Sequence, residues 1–352
     1  LLLTHTPSTT KTMNPPPAKH PLPPNALSSF EHIRQLLHNK TPVVFLDYDG
    51  TLAPIVSRPD QAFMTETMRA AVKTVAQKFT TAVVSGRSTQ KVVDFVQLDE
   101  LFYAGSHGLD ITGPHRSSTT KATGPVENTT DDTTTAPTTS AVPVSPPVKH
   151  RVAQTFVPVL KQCRLDLSSA LDAALGHQSK VEIEDNVLTF SVHYRNAVGC
   201  TAKEVLQIIN AVLVKPEYSQ QLVCTAGKMV YEIRPRVQWN KGTAVLWLLD
   251  TLGMKGKEDV VALYVGDDVT DEDAFTALSE GAWQGRCASI VVQGENDRVW
   301  DEKTGGGEGS DGGGGGYMHR PTSALWSLKD TVEVEHFLMS LSQIGGEEER
   351  KE

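Results

Sequence analysis

The chain has 352 residues, enough for one large domain or two modest ones with separate cores, and two is the starting expectation. Its 39% hydrophobic and 21% charged residues are ordinary for a globular protein, and no apolar run approaches the ~20 residues that span a bilayer, which argues against a membrane partner. A net charge of −9 with no Lys/Arg block argues against a nucleic-acid partner and for a small-molecule substrate.

In chain order, residues 1–30 contain no acid but many Ser, Thr and Pro, with Lys11 and Lys19. A disordered tail is the first reading and an organelle transit peptide the second, so the expected location is the cytoplasm, or a plastid if the segment is a transit peptide. Residues 43–46, 82–84, 101–104 and 260–265 are short apolar runs bounded by turn residues and read as buried strands. Between the first two, Thr65 is a candidate N-cap, and Met68, Ala71, Val72, Val75 and Phe79 recur at helical spacing. Strand, helix, strand implies a parallel α/β sheet, whose ligands bind beyond the carboxyl ends of the strands.

Residues 113–150 are rich in Thr, Pro and Ser and read as a low-complexity insertion. The Asn128-Thr129-Thr130 tripeptide matches a glycosylation acceptor but arises easily in a Thr-rich tract. Beyond it Val181 and Ile183, a turn at Glu184-Asp185-Asn186, and then Leu188, Phe190, Val192 and Tyr194 describe a hairpin with one buried face. A helix with a Thr201/Glu204 capping box follows, and a second hairpin is expected to turn at Ala226-Gly227. This is an α+β unit set inside an α/β domain, the arrangement of a cap. The glycine-dense stretch at 304–316 lacks the Lys-Ser/Thr ending of a phosphate loop and reads as a linker. Cys163, Cys200, Cys224 and Cys287 stand singly, without zinc-ligand spacing, and read as reduced thiols.

The chemistry is concentrated at the strand ends. Asp47-Tyr48-Asp49-Gly50-Thr51 follows the first strand, where a carboxylate such as Asp47 can attack phosphorus and split a hydrolysis into two displacements. Asp49 can protonate the leaving oxygen and then activate water. Asp267, Asp268 and Asp271 follow the 260–265 strand. Hard oxygen ligands suit Mg2+, with Asp47 and Asp267 as carboxylate ligands, Asp49 through its backbone carbonyl, and Asp268 and Asp271 as outer partners. Ser85 offers a hydroxyl to a phosphoryl oxygen, and Lys241 a positive charge.

The motifs DYDGT, SGR, NKG and GDDVTDED, in that order, resemble the four motifs of the haloacid-dehalogenase superfamily of phosphatases. More narrowly, FLDYDGTLAPI at 45–55, VVSGR at 83–87, AGSHGLDI at 104–111, AGKMVYEIRP at 226–235 and YVGDDVTDEDAF at 264–275 resemble trehalose-phosphate phosphatases, particularly the plant and green-lineage type. The resemblance implies a Rossmann-like core of parallel sheet with an inserted α+β cap. It divides the chain into a tail (1–30), core (31–112), insertion (113–150), cap (151–237) and returning core (238–345). It also implies that Lys228, Glu232, Arg195 and Arg234 from the cap, and Arg87 and His107 from the core, hold the sugar. The activity implied is hydrolysis of trehalose 6-phosphate; the sequence does not fix the oligomeric state, and a monomer is the favoured expectation. The alternatives are a phosphatase of sucrose phosphate or a mannosyl phosphate, and a non-catalytic sugar-phosphate sensor or regulatory domain from a tandem synthase-phosphatase.

Overall fold

The computed structural model describes residues 22–114, 148–227, 229–293 and 320–344. Of these, all but Leu22, Arg320 and Pro321 belong to one compact unit, Pro23–Gly294 with Thr322–Glu352. Expectations for residues 1–21, for most of 113–150 including Asn128, for 304–316 and for Lys228 fall outside the described residues. No helix among the described residues is long and apolar enough to cross a membrane.

The chain enters through α1 (Phe30–Leu37), β1 (Thr41–Leu46), α2 (Glu66–Lys78), β2 (Thr80–Val84), α3 (Thr89–Val96), β3 (Phe102–Gly105), β4 (Asp110–Thr112) and β5 (Lys149–Arg151). An inserted segment carries α4 (Val157–Leu175), β6 (Glu182–Asp185), β7 (Phe190–His193), α5 (Ala202–Leu213), α6 (Pro216–Ser219), β8 (Leu222–Gly227) and β9 (Val230–Pro235). The remainder is α7 (Lys241–Thr251), β10 (Val260–Gly266), α8 (Val269–Ser279), β11 (Cys287–Val292), β12 (Trp326–Leu328) and α9 (Thr331–Ser342).

The larger sheet runs β12-β11-β10-β1-β2-β3-β4-β5. It is parallel through β3, and β4 and β5 add an antiparallel edge. Beyond their first residues its central strands β1, β2 and β10 are buried and mostly apolar, because both faces are covered. Val44 and Leu46 of β1 pack with Met68, Val72 and Val75 of α2 and Phe337 of α9. Their neighbours Val43 and Phe45 face the other way, among Val245 and Leu248 of α7 and Phe275 of α8. The predicted helical stripe is thus the face α2 buries, and the Thr65 hydroxyl caps it by accepting from the Met68 amide at 3.0 Å.

The inserted unit is an antiparallel sheet, β6-β7-β9-β8, packed against helices. Phe190 and Val192 of β7 and Ile233 of β9 form its core with Cys163 and Leu167 of α4 and Ile209 of α5. The alternate residues Ser191, His193 and Glu232 line a cavity on the opposite face, as the two-residue period requires. The Thr201/Glu204 capping box starts α5 as expected. All four cysteines are unpaired, and burial pushes the Cys163 thiol up to about 12, which keeps it inert.

Several boundaries differ from the sequence reading. Residues before Phe30 are not all tail, since Asn25 bridges to Ser327 and donates to Glu333 at 2.7 Å, and Ala26 is fully buried. The insertion ends sooner, because Lys149–Arg151 are needed as strand β5. In the first hairpin Glu184 and Asp185 lie within β6, and the turn falls later, where Val187 has φ 67°. The second hairpin keeps Ala226 and Gly227 in β8 and turns after them.

Candidate active site

The parallel register gathers the predicted groups. Leu46 pairs with Val265 on one side and with Val83 on the other, so β10, β1 and β2 end level with one another. Asp267, Asp47 and Ser85 therefore emerge side by side from the carboxyl edge. The Asp47 amide still donates to the Val265 carbonyl at 2.9 Å, which fixes the nucleophile candidate against β10.

Lys241 reaches this edge from the start of α7, whose N-cap Asn240 accepts from the Thr243 amide at 2.9 Å. Its ammonium donates to Asp47 Oδ1 at 2.6 Å and to Asp271 Oδ1 at 2.7 Å, with all three side chains buried. Burial alone would lower the Lys241 pKa, but the Asp271 and Asp47 carboxylates reverse that and hold it above its ordinary value. Burial, with Asp271 close by, pushes the Asp47 carboxyl well above the usual carboxylate range against the pull of Lys241. Such a cluster is short of positive charge.

The carboxylates of Asp47, Asp267 and Asp271 can bring one oxygen each within 4.8 Å of one another, an all-oxygen donor set of the kind a hard divalent cation takes. Asp271 is already engaged at both oxygens, by Lys241 and the Tyr264 hydroxyl on one and the Asp268 amide on the other. That is the engagement expected of an outer partner rather than of a direct ligand. Gly50 has φ +83°, and a Cβ there would lie 2.1 Å from Asp267 Oδ2, so the cradle depends on its bare backbone. Asp268 is an N-cap of α8, accepting from the Val269 amide at 2.7 Å, and it also lines the cavity.

One cavity joins this edge to the polar face of the inserted sheet, and Asp47, Asp49, Arg87, His107, Arg195, Glu232, Lys241, Asp267 and Asp268 all line it. Glu232 accepts from His107 Nε2 at 2.8 Å; burial opposes its ionisation, but His107 outweighs this and its pKa is lowered. Ser106 and His107 both sit at positive φ, 49° and 55°, in the tight loop that aims this imidazole. Arg195 donates to the Val56 carbonyl at 3.0 Å and Asn196 to the Ser57 carbonyl at 2.9 Å, tying the inserted unit to the loop after β1.

Three expected residues do not line the cavity. Ser85 is fully buried beside the cavity, its hydroxyl accepting from the Arg87 amide at 3.1 Å. Asp271 lies beneath Lys241. Arg234 does not line the cavity and donates to the Trp239 carbonyl, because the strand has carried it past the opening although it shares parity with Glu232. Conversely, Glu184 and Asn186 line the cavity and were not among the expected sites; His193, which shares the strand parity of Arg195 but was not assigned to the sugar, lines it too. The signal for Glu184 was present in its alternation with Ile183, which packs in the core, but a polar triplet was read as a turn.

The family model for trehalose-phosphatase matches residues 45–303. A relative from Oryza sativa subsp. japonica, described as a probable trehalose-phosphate phosphatase 2, is 45% identical over 91% of this chain and 72% of its own length. Among solved structures, the C-terminal domain of Candida albicans trehalose-6-phosphate phosphatase aligns with a TM-score of 0.62 at 18% identity, covering 92% of this chain and 98% of its own. The C-terminal domain of a C. albicans trehalose synthase regulatory protein aligns at 0.58 and 9% identity, covering 90% and 99%, so the fold is shared by domains with different described roles. The extent of the family match and of the rice relative settles the assignment, and this chain belongs to the trehalose-phosphatase family.

Proposed function

We propose that the protein hydrolyses trehalose 6-phosphate to trehalose and inorganic phosphate through an aspartyl-phosphate on Asp47, with Mg2+ as cofactor. The observation that carries this reading is that Asp47, Asp49, Asp267 and Lys241 meet the polar face of an inserted sheet across one cavity, in a chain of this family. Asp47, Asp267 and the Asp49 carbonyl would hold the cation, which supplies positive charge to the phosphoryl oxygens and the crowded carboxylates.

In the first displacement an Asp47 oxygen bonds to phosphorus as the bond from phosphorus to the sugar oxygen breaks. Asp49 gives that oxygen its proton. In the second, Asp49 takes a proton from water, whose oxygen attacks phosphorus and releases Asp47. Lys241 stays beside Asp47 and offsets charge throughout, and the Ser85 hydroxyl supports a phosphoryl oxygen. The large sheet with its helices acts as the phosphate-handling core, which takes in Asn25, Ala26 and β5 beyond the expected 31–112 and 238–345, and the inserted unit after Arg151, to residue 237, acts as a cap whose Glu232, Arg195 and Lys228 hold sugar hydroxyls together with Arg87 and His107.

The test is phosphate release from trehalose 6-phosphate, glucose 6-phosphate and sucrose 6-phosphate, with and without Mg2+. We expect Mg2+-dependent release, fastest from trehalose 6-phosphate. Preference for either of the others, or no release from any of them, overturns the substrate assignment.

A further inference from the structure

Asp49, the proton shuttle of the reading above, does not hold its own orientation. Both of its carboxylate oxygens accept from Arg87, at 2.7 Å from Nε and 2.6 Å from Nη2. Arg87 is 6% exposed, and its guanidinium lies over the rings of Phe95 and Tyr48, 5.1 and 5.8 Å from their centres. Its remaining nitrogen, Nη1, is buried without a hydrogen-bond partner and faces Glu184 Oε1 at 3.9 Å.

Glu184 comes from β6 of the inserted unit, on the opposite side of the cavity. It is itself held from two directions, accepting from His193 Nε2 at 2.9 Å within its own sheet and from Lys91 Nζ of core helix α3 at 2.7 Å. Burial would raise its pKa, but the His193 and Lys91 hydrogen bonds outweigh that and bring it to about 2, so it is an anion at neutral pH. A fixed anion beside the last unpaired edge of a buried guanidinium sets how that plane tilts, and the plane in turn sets where Asp49 points.

We propose that Glu184 is a positioning residue for proton transfer, acting through Arg87 on Asp49, so that the shuttle is aligned by a group the inserted unit supplies. The proposal rests on the assignment of Asp49 to protonating the leaving oxygen. It needs no contact between Glu184 and the substrate. Misalignment of Asp49 leaves the sugar oxygen to depart without its proton as its bond to phosphorus breaks. The loss therefore grows with the basicity of the leaving group.

The experiment measures kcat/KM, which reports steps up to formation of the phospho-enzyme, for trehalose 6-phosphate and for a series of aryl phosphates with phenols of graded acidity. Glu184→Gln keeps the shape and removes the charge. It should lower kcat/KM for trehalose 6-phosphate by roughly ten- to a hundredfold, a partial loss of the ~10²- to 10⁴-fold that a general acid contributes. It should leave the most acidic phenol within about threefold of wild type and steepen the dependence on leaving-group acidity. Asp49→Asn should steepen it further, and Glu184→Asp, which restores the charge, should recover part of the slope. A steeper slope in Asp49→Asn with an unchanged one in Glu184→Gln overturns the inference and leaves the reaction intact. An unchanged slope in Asp49→Asn removes Asp49 from proton transfer, and the role of Glu184 falls with it. If Glu184→Gln fails to fold, Lys91→Gln takes its place, since Lys91 anchors Glu184 from the half-exposed surface of α3, and an unchanged slope there counts against the proposal.

Discussion

At the scale of single residues, the site is a problem of charge. Lys241 stands between two buried carboxylates, and removing one partner of a buried ion cluster leaves charge uncompensated. Lys241→Met should therefore cost about 3–5 kcal/mol of stability, read as a lower denaturation midpoint, and reduce kcat by roughly 10²- to 10³-fold. A variant that folds as stably as wild type would show that the ammonium is not what holds the cluster together. Gly50 offers a second check on the cation cradle. Gly50→Ala drives a methyl onto the Asp267 carboxylate at a backbone angle that disfavours any Cβ, so the rise in Tm that Mg2+ gives the wild type should vanish along with activity. Most of these groups were legible in the sequence because each is fixed by a short-range feature: Asp47 and Asp267 follow buried strands, and Lys241 opens a capped helix. The support Asp271 receives from Tyr264 was not, since it arises between β10 and α8 and leaves no mark on either segment alone.

Strands and helices decide which face each side chain presents. On β9, Glu232 faces the cavity while Tyr231 and Ile233 face the core of the inserted unit. If Glu232 holds a sugar hydroxyl remote from phosphorus, Glu232→Ala should lower kcat/KM for trehalose 6-phosphate by roughly ten- to a hundredfold, the value of about 1.5–3 kcal/mol for a hydrogen bond to a charged group. A small aryl phosphate should be nearly unaffected, and an equal loss on both would show that this face does not select the sugar. The β6–β7 turn carries a different expectation. Val187 is an exposed β-branched residue at φ 67°, a conformation that costs such residues about 1–3 kcal/mol. Asn tolerates that angle without the added chain entropy of Gly, so Val187→Asn should stabilise the protein by about 1 kcal/mol, visible in the denaturant midpoint. Alternation showed which residues of these strands are buried, but it did not locate the turns. Glu184-Asp185-Asn186 has turn composition, whereas the chain reverses after it through a valine that no turn preference would nominate. Parity likewise could not tell that Arg234 lies beyond the mouth of the cavity.

For the whole molecule, the parallel core and its inserted α+β unit were legible because short apolar runs and helical stripes set the layer architecture. The antiparallel edge was not, because β4 and β5 are three residues each and flank a stretch whose composition resembles a linker. That edge yields a prediction about the insertion. Thr112 pairs with Lys149, and the Gly113 amide donates to the Val148 carbonyl at 2.7 Å, so the two ends of the intervening segment are already a hairpin's width apart. A two-residue Asn-Gly turn can bridge such a pair, and shortening a loop reduces the entropy cost of closing it. The edge strand β5 also stands four positions from β1 in the sheet, roughly 19 Å at the usual strand spacing, so the nucleophile is remote from the cut. Replacing residues 114–147 by Asn-Gly should leave Mg2+-dependent kcat/KM on trehalose 6-phosphate within about threefold of wild type, with Tm unchanged or raised. A folded variant whose turnover collapses while its aryl phosphate activity survives would mean that the segment acts on the sugar. One that loses both activities, with β4 and β5 still paired by hydrogen exchange, would mean that it acts on the phosphate site itself.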